Sequence, residues 1–78
     1  MIASFGDRAT EDIYHGRPTA RARRFPADVV DAALVKLDSL NGAASMLDLR
    51  SIRVNDRWRL IFRWQGNDAH KVRLTDYH

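Results

Sequence analysis

The first half of the chain carries apolar residues at helical spacing. Between positions 26 and 40 they recur every three or four residues, which places them on one face of a helix. The members of this stripe are Val30, Ala33, Leu34, Leu37 and Leu40. Pro26 suits the first helical turn, and Asn41-Gly42 supplies a stop signal. The pattern therefore predicts one long helix from Pro26 to Leu40 whose stripe faces the core.

Shorter elements are predicted on either side of this helix. Met1–Phe5 has the pattern of a short strand. Asp7–Tyr14 has that of a short helix, with Gly16 just past its end. The stretch from Gly16 to Arg24 is then a basic loop, and a further helical turn through Met46 is predicted after the long helix.

After Arg50 the period changes from helical to the alternation of β-strands. Ile52 and Val54 fall on one side of a first strand and Arg53 and Asn55 on the other, before a turn at Asn55-Asp56. The second strand carries Trp58, Leu60, Phe62 and Trp64 on one face and Arg57, Arg59, Ile61 and Arg63 on the opposite face. A turn at Gly66-Asn67-Asp68 leads into a last strand, Ala69 to Thr75, with Val72 and Leu74 opposite Lys71 and Arg73.

These elements predict an α+β fold with N-terminal helices packed on one face of a small, mainly antiparallel sheet. We expect consecutive hairpins, with the aromatic face of the sheet on the long helix and the arginine face outward. Trp58 and Trp64 alternate with core residues, which favours packing over a base-stacking role.

The amino-acid composition indicates that this outward face is positively charged. The 78 residues are enough for one domain, 1–78, and include no cysteine, which excludes disulfides and thiolate chemistry. The net charge is +3, and Lys36 and Lys71 are the only lysines among 13 basic residues. From Arg50 onward, seven basic and three acidic residues give a formal charge of +4. Arginine forks bind phosphate bidentately, which favours a nucleic-acid partner, although GC-rich coding also produces arginine.

The hydropathy pattern bears on location. No apolar run approaches the roughly 20 residues needed to cross a bilayer, and the N-terminus lacks the pattern of a signal peptide. We therefore expect a cytoplasmic protein that does not engage membranes.

Several short motifs occur in a recognisable order. The first half contains Met1-Ile2-x-Ser4-Phe5, Arg24-Phe25-Pro26, Lys36-Leu37-x-x-Leu40-x-x-Ala43 and Leu47-Asp48-Leu49-Arg50. The second half contains the run from Ser51 to Trp64 and the terminal Asp76-Tyr77-His78. Across essentially the whole chain this order resembles HigB-type toxins of the RelE superfamily, in the plasmid-maintenance killer family.

The resemblance implies a toxin of a type II toxin-antitoxin system. Such a toxin is an endoribonuclease that cuts mRNA on the 70S ribosome, needs neither metal nor other cofactor, and is held by a HigA-type antitoxin with a helix-turn-helix fold. In the reaction a ribose 2′-hydroxyl attacks the adjacent phosphorus. The chemistry requires a base for that hydroxyl, positive charge around the phosphate and an acid for the departing 5′-oxygen.

The resemblance also assigns roles to residues. His78 is the acid or base, because an imidazole titrates near neutral pH, and Arg59 stabilises the phosphorane charge. Tyr77 donates to the phosphate or stacks on a base, and Asp76 orients an arginine or the histidine. The expected RNA-binding residues are Arg53, Arg57, Arg63, Lys71 and Arg73. Two other functions remain open: a non-catalytic basic module that binds nucleic acid, and an inactive toxin homologue that binds an antitoxin.

One segment departs from the family pattern. Between the equivalents of Arg50 and Ser51, family members usually carry a loop with proline and glycine and a further strand, which this chain lacks. A natural deletion and a loop left out between residues 50 and 51 both explain the gap. The second is favoured, because losing a strand exposes core that a small sheet needs.

The remaining basic and titratable residues have plainer interpretations. His15 and His70 are expected to be solvated and do not form a metal site with His78. The cluster Arg21, Arg23 and Arg24 suits ribosomal RNA and an acidic antitoxin segment equally.

Overall fold

The computed structural model describes residues 1–43 and 50–76. Within these ranges the helices are α1 (Arg8–Tyr14), a 3-10 helix (Ala22–Arg24) and α2 (Ala27–Gly42). The strands are β1 (Ser51–Arg53), β2 (Trp58–Gln65) and β3 (Asp68–Asp76). Both α-helices pack against one face of a three-stranded antiparallel sheet, so the α+β prediction is confirmed. The predicted turn through Met46 lies outside the described residues.

Helix α1 begins and ends where the sequence signals place it. Asp7 is the N-cap, and its Oδ1 accepts a hydrogen bond from the Thr10 amide at 2.8 Å. Beyond the last turn Gly16 has a φ of +70°, a conformation that glycine adopts without steric cost. The predicted short helix is therefore confirmed.

Helix α2 differs from the prediction at its end and in its rotation. Asn41 and Gly42 continue the helix instead of stopping it, and the Asn41 side chain accepts a hydrogen bond from the Ile2 amide at 3.0 Å. Val29, which the predicted stripe omitted, is buried, whereas Val30 is only half-buried. The helix packs against α1 as well as against β2 and β3. The buried positions are Val29, Ala33, Leu37 and Leu40.

The sheet has the predicted hairpin order, β1-β2-β3. Arg53 lies opposite Arg59 in the first pair of strands, and Leu60 lies opposite Leu74 in the second. Leu60, Phe62, Val72 and Leu74 are buried against the helices, while Trp58 and Trp64 are half-buried at the margin of this core. Both tryptophans therefore pack against the core without being fully buried in it.

The first hairpin turn is closed by a side chain, that of Asn55, and the second depends on the backbone conformation of Gly66. The Asn55 side chain accepts hydrogen bonds from the amides of Arg57 at 2.8 Å and Trp58 at 2.9 Å, which closes the first turn. In the second turn Gly66 has a φ of +62°, as a tight hairpin requires.

The N-terminal segment adds a parallel neighbour to β3. Ile2 bridges to Ala69 and Phe5 to Val72, in place of the continuous strand predicted for Met1–Phe5. The ladder is interrupted because β3 bulges between these bridges: its register against β2 shifts between Ile61 and Arg63.

The residues before 44 and from 50 to 76 include no helix long and apolar enough to cross a membrane.

Candidate nucleic-acid interface

The face of the sheet turned away from the helices carries most of its arginines. Arg53 and Arg59 face one another across β1 and β2, and Arg73 lies opposite Ile61 across β2 and β3. Since side chains alternate along a strand, these residues share the face opposite Leu60 and Leu74. The predicted arginine face is confirmed.

A concave region of about 590 Å³ opens on this face, and we call it the basic cleft. Its lining residues are Gly6, Arg50, Ser51, Ile61, Phe62, Arg63, Lys71 and Arg73. Four of them are cations and none is an acid. Among the described residues, the lining of the cleft is therefore positively charged and contains no acid.

The four cations of the cleft differ from the other predicted RNA-binding residues in their ion pairs with acidic residues. No salt bridge within residues 1–43 and 50–76 involves Arg50, Arg63, Lys71 or Arg73, and all four are exposed. By contrast, the other two expected RNA-binding residues are ion-paired with acids.

Arg53 contacts Asp56, and Arg57 lies 3.4 Å from Asp76. The predicted RNA-binding residues therefore form two groups. Arg63, Lys71 and Arg73 line the cleft, whereas Arg53 and Arg57 lie outside it and are partly neutralised.

Arg50 was missed as a site residue because it precedes the predicted strand. The structure brings it to the cleft through the sheet ladder, where its carbonyl accepts a hydrogen bond from the Phe62 amide at 3.1 Å. Two signals were available, the excess of basic residues from Arg50 onward and the motif Leu47-Asp48-Leu49-Arg50, and neither indicated a binding role for Arg50.

The bulge in β3 shapes one wall of the cleft. Lys71 has a φ of +55°, which is uncommon for a residue other than glycine, asparagine or aspartate. Its amide donates to the Ser4 hydroxyl at 2.9 Å. The bulge adds one residue to β3, so that Ala69 is buried in the core although simple alternation would put it on the outer face with Arg73.

Gly6 lets the N-terminal segment lie against this bulge. A Cβ atom at position 6 would be 2.8 Å from the Lys71 carbonyl oxygen and 3.4 Å from the Arg73 Cβ. The floor of the cleft is open here because residue 6 has no side chain.

Arg59 lies beside the basic cleft and is half-buried. Its Nη1 donates to the Ser51 hydroxyl at 3.0 Å, and Ser51 is itself a lining residue. The serine hydroxyl therefore connects the arginine expected to act in catalysis with the cleft. Sequence reasoning had given Ser51 no role.

The remaining predicted catalytic residues are at the C-terminal end. Asp76 lies opposite Trp58 in the register, so strand alternation places it on the same side of the sheet as Trp58. Tyr77 and His78 lie outside the described residues. Their convergence with Arg59 stays a prediction.

A buried carboxylate, Asp12, organises the basic loop after α1, and no pattern in the sequence indicated this role. Asp12 has no exposed surface and accepts hydrogen bonds from Arg21, from the Thr19 hydroxyl at 2.7 Å and from Arg17 at 3.4 Å. The hydrogen bond from Arg21, followed by that from Thr19, lowers the pKa of Asp12 from its usual 3.8 to about 2.

These contacts divide the predicted cluster of three arginines. All three are exposed, but Arg21 forms an ion pair with Asp12, whereas no salt bridge within residues 1–43 and 50–76 involves Arg23 or Arg24.

The two histidines in the described ranges have different surroundings. His15 is exposed, as predicted, and packs edge-on against Tyr14 with ring centroids 5.3 Å apart. His70 is half-buried on the outer face of the sheet opposite Arg63, and is less solvated than predicted. No group of three histidine or acidic side chains that would suit a metal ion occurs in the part of the chain that the structure describes.

A second, mainly apolar groove of about 650 Å³ lies on the helical side. Its apolar lining includes Ile13, Pro18, Ala22, Phe25, Val30 and Leu34. It shares no residue with the basic cleft.

In comparisons with known proteins, no family model matches this chain, and no curated protein is significantly similar to it.

Proposed function

We propose that this protein is a HigB-type toxin with a RelE-like fold, an endoribonuclease that cuts mRNA on the ribosome. The order of its motifs suggests the family, and the α+β arrangement is compatible with it. The observation that carries the proposal is the basic cleft beside Arg59, because the sheet places four cations that have no ion-pair partner among the described residues next to an arginine suited to a reacting phosphate.

The positive charge favours a polyanionic ligand. The four cations share a lining that has no carboxylate among the described residues, so they repel one another in the free protein. An RNA backbone relieves that repulsion as it releases its own counterions. The cleft wall has no exposed aromatic side chain, since Phe62 is buried. Contacts there are expected to be with phosphates and not with bases.

The proposed reaction needs three functions around one phosphodiester. A base removes the proton of the 2′-hydroxyl, its oxygen attacks phosphorus, and the bond to the 5′-oxygen breaks as an acid protonates that oxygen. The products are a 2′,3′-cyclic phosphate and a 5′-hydroxyl. In this proposal Arg59 stabilises the charge that develops on phosphorus, and His78 serves as acid or base.

Tyr77 and Asp76 support this chemistry in the proposal. Tyr77 donates to the phosphate or stacks on a base, and Asp76 orients a neighbouring charged group. Because Asp76 lies near Arg57 on the side of the sheet that carries Trp58, its action on the reacting phosphate is through another residue.

The proposed partners follow from the same family likeness. The protein acts in the cytoplasm on mRNA in the 70S ribosome, and a HigA-type antitoxin with a helix-turn-helix fold neutralises it. The toxin-antitoxin complex represses its own promoter.

A second candidate is a toxin homologue that binds RNA or its antitoxin without cleaving. A natural deletion between residues 50 and 51 would favour this candidate, because the family resemblance assigns residues of that segment to binding or cleaving RNA. The two functions differ in one measurable product, the cut messenger.

The test uses a purified translation system with one defined mRNA. The proposal predicts new 5′ ends within the translated region that carry hydroxyl groups and therefore require phosphorylation before adaptor ligation. Arg59→Lys and His78→Ala are expected to lower the cleavage rate about 100-fold or more. Lys36→Gln on α2 serves as the control. Intact messenger with the folded wild-type protein contradicts the nuclease and favours the second candidate.

A further inference from the structure

We propose that the basic cleft is a separate subsite for the RNA backbone, which holds a phosphate flanking the one at Arg59. This inference rests on the proposed function for the identity of the polymer, but the phosphate-binding property rests on the cleft alone. It adds Arg50 and Ser51 to the residues that engage the ligand, and it assigns Lys71 to binding and not to the chemical step.

The first argument is the distribution of charge. Arg53 and Arg57 have carboxylate partners, whereas the four cations of the cleft have none within the described ranges. A guanidinium or ammonium that is already paired gains less from a phosphate than an unpaired one, since its partner must be displaced or remains nearby. The cleft therefore provides the stronger phosphate site on this face.

The second argument is distance along β2. Arg59 and Arg63 are four residues apart on one strand, which separates their Cα atoms by about 13 Å. One phosphate cannot be centred on both. The row Ser51, Ile61 and Arg73 crosses the sheet between them, so a strand of RNA that passes Arg59 meets Ser51 and Arg73 before Arg63.

The third argument is the conformation of Lys71. A lysine with a φ of +55° is held in an unfavourable region by its neighbours, here by the amide hydrogen bond to Ser4 and the close approach of Gly6. Glycine would adopt this conformation more easily. Strained backbone of this kind concentrates at functional sites, and the strain here is associated with a cation at the wall of the cleft.

Ser51 supplies a neutral donor between the two phosphate positions. Its oxygen accepts from Arg59, which leaves the hydroxyl proton available to a phosphate oxygen in the cleft. A cleft that contacts phosphates and not base edges predicts binding with little sequence preference.

The test measures binding of a short, fluorescent single-stranded RNA with 2′-O-methyl groups, so that no cleavage occurs. Lys71→Gln and Arg63→Gln are compared with Lys36→Gln, which removes the same charge on α2, on the other side of the sheet. Each cleft variant is expected to weaken binding about 5- to 10-fold at low salt. Each is also expected to reduce the slope of log K against log salt by about 0.7. Lys36→Gln should leave the slope unchanged.

Lys71→Gly separates a binding role from a structural one. It removes the cation and relieves the positive φ, so it is expected to raise the thermal midpoint by a few degrees while it weakens RNA binding like Lys71→Gln. A residue with only a structural role would change stability and leave the affinity of the folded protein intact. Wild-type affinity and salt slope in the three cleft variants would overturn the inference.

Failure of the subsite can be distinguished from failure of the proposed nuclease, because RNA binding and RNA cleavage are measured separately. RNA binding through the cleft without cleavage on the ribosome supports the subsite and contradicts the nuclease. Where cleavage occurs, the cleft variants should raise KM with kcat preserved, in contrast to Arg59→Lys, which lowers kcat. Cleavage with normal KM in those variants supports the nuclease and overturns the subsite.

Discussion

The contact between Gly6 and the β3 bulge yields a sharp prediction about stability. In Gly6→Ala the new Cβ would lie 2.8 Å from the Lys71 carbonyl oxygen, well inside ordinary carbon-oxygen contact. The opposing atom is backbone, and the bulge around it is held by the hydrogen bonds from Lys71 to Ser4 and from Gly6 to Val72. Relief therefore requires the N-terminal segment to move away from β3.

The expected change in the free energy of unfolding is the difference between two opposing effects. Overpacking of this kind costs about 1–3 kcal/mol, and the loss of glycine's freedom in the unfolded chain returns about 0.4–1 kcal/mol where the backbone itself is compatible. Gly6 is not among the glycines with positive φ, so the steric contact dominates. A net loss of about 1–2 kcal/mol corresponds to a fall in thermal midpoint of roughly 5–15 °C for a domain of this size.

The assay is thermal unfolding followed by circular dichroism, with Gly42→Ala as the matched control. Gly42 is the last residue of α2, and a Cβ there meets nothing within 4 Å. That variant should match the wild type or exceed it by up to about 1 kcal/mol. A Gly6→Ala midpoint equal to that of wild type would refute the proposed close approach of the two segments.

Three further predictions concern a buried charge, a positioning hydroxyl and the core. Asp12→Asn should lower the thermal midpoint at pH 6 but much less near pH 2. The folded pKa of about 2 lies below the usual 3.8, so the stabilisation by the ionised carboxylate is present above about pH 4 and disappears as pH falls through 2. If the proposed nuclease activity holds, Ser51→Ala should lower kcat about 2- to 10-fold with an unchanged thermal midpoint, because Arg59 loses a hydrogen-bond partner. Ser51→Thr should restore the rate. Equal kcat in the wild type and both variants would contradict this positioning role. Leu37→Ala, at a side chain with no exposed surface, should cost about 2–5 kcal/mol in urea unfolding, and a loss below 1 kcal/mol would contradict its place in the core.

Local signals predicted the elements that depend on local chemistry. Asp7 and Gly16 bound α1 because a cap and a left-handed residue act within one turn of the helix. The alternation from Ile52 to Leu74 predicted which face of the sheet is apolar, since side-chain direction in a strand has a period of two. Where a tertiary contact intervened the prediction failed, as at Asn41, which continues α2 and accepts a hydrogen bond from the N-terminal segment.

The candidate site was predictable in its charge but not in its shape. The sequence alone determined that the second half is arginine-rich and that its arginines share a face, because composition and period are properties of the chain. Only the tertiary structure decided which cations have an acidic partner within the described residues: Arg57 meets Asp76 through the register of β2 and β3, whereas Arg53 pairs with Asp56 three residues along the chain.

The bulge at Lys71 and the close approach of Gly6 to it were also decided by the tertiary structure alone. Both exist because residues about 65 positions apart in the chain pack against each other. Sequence periodicity predicts only to which side of its own strand a side chain points. A cleft is formed by several segments at once, so its walls follow from packing and hydrogen bonding between them.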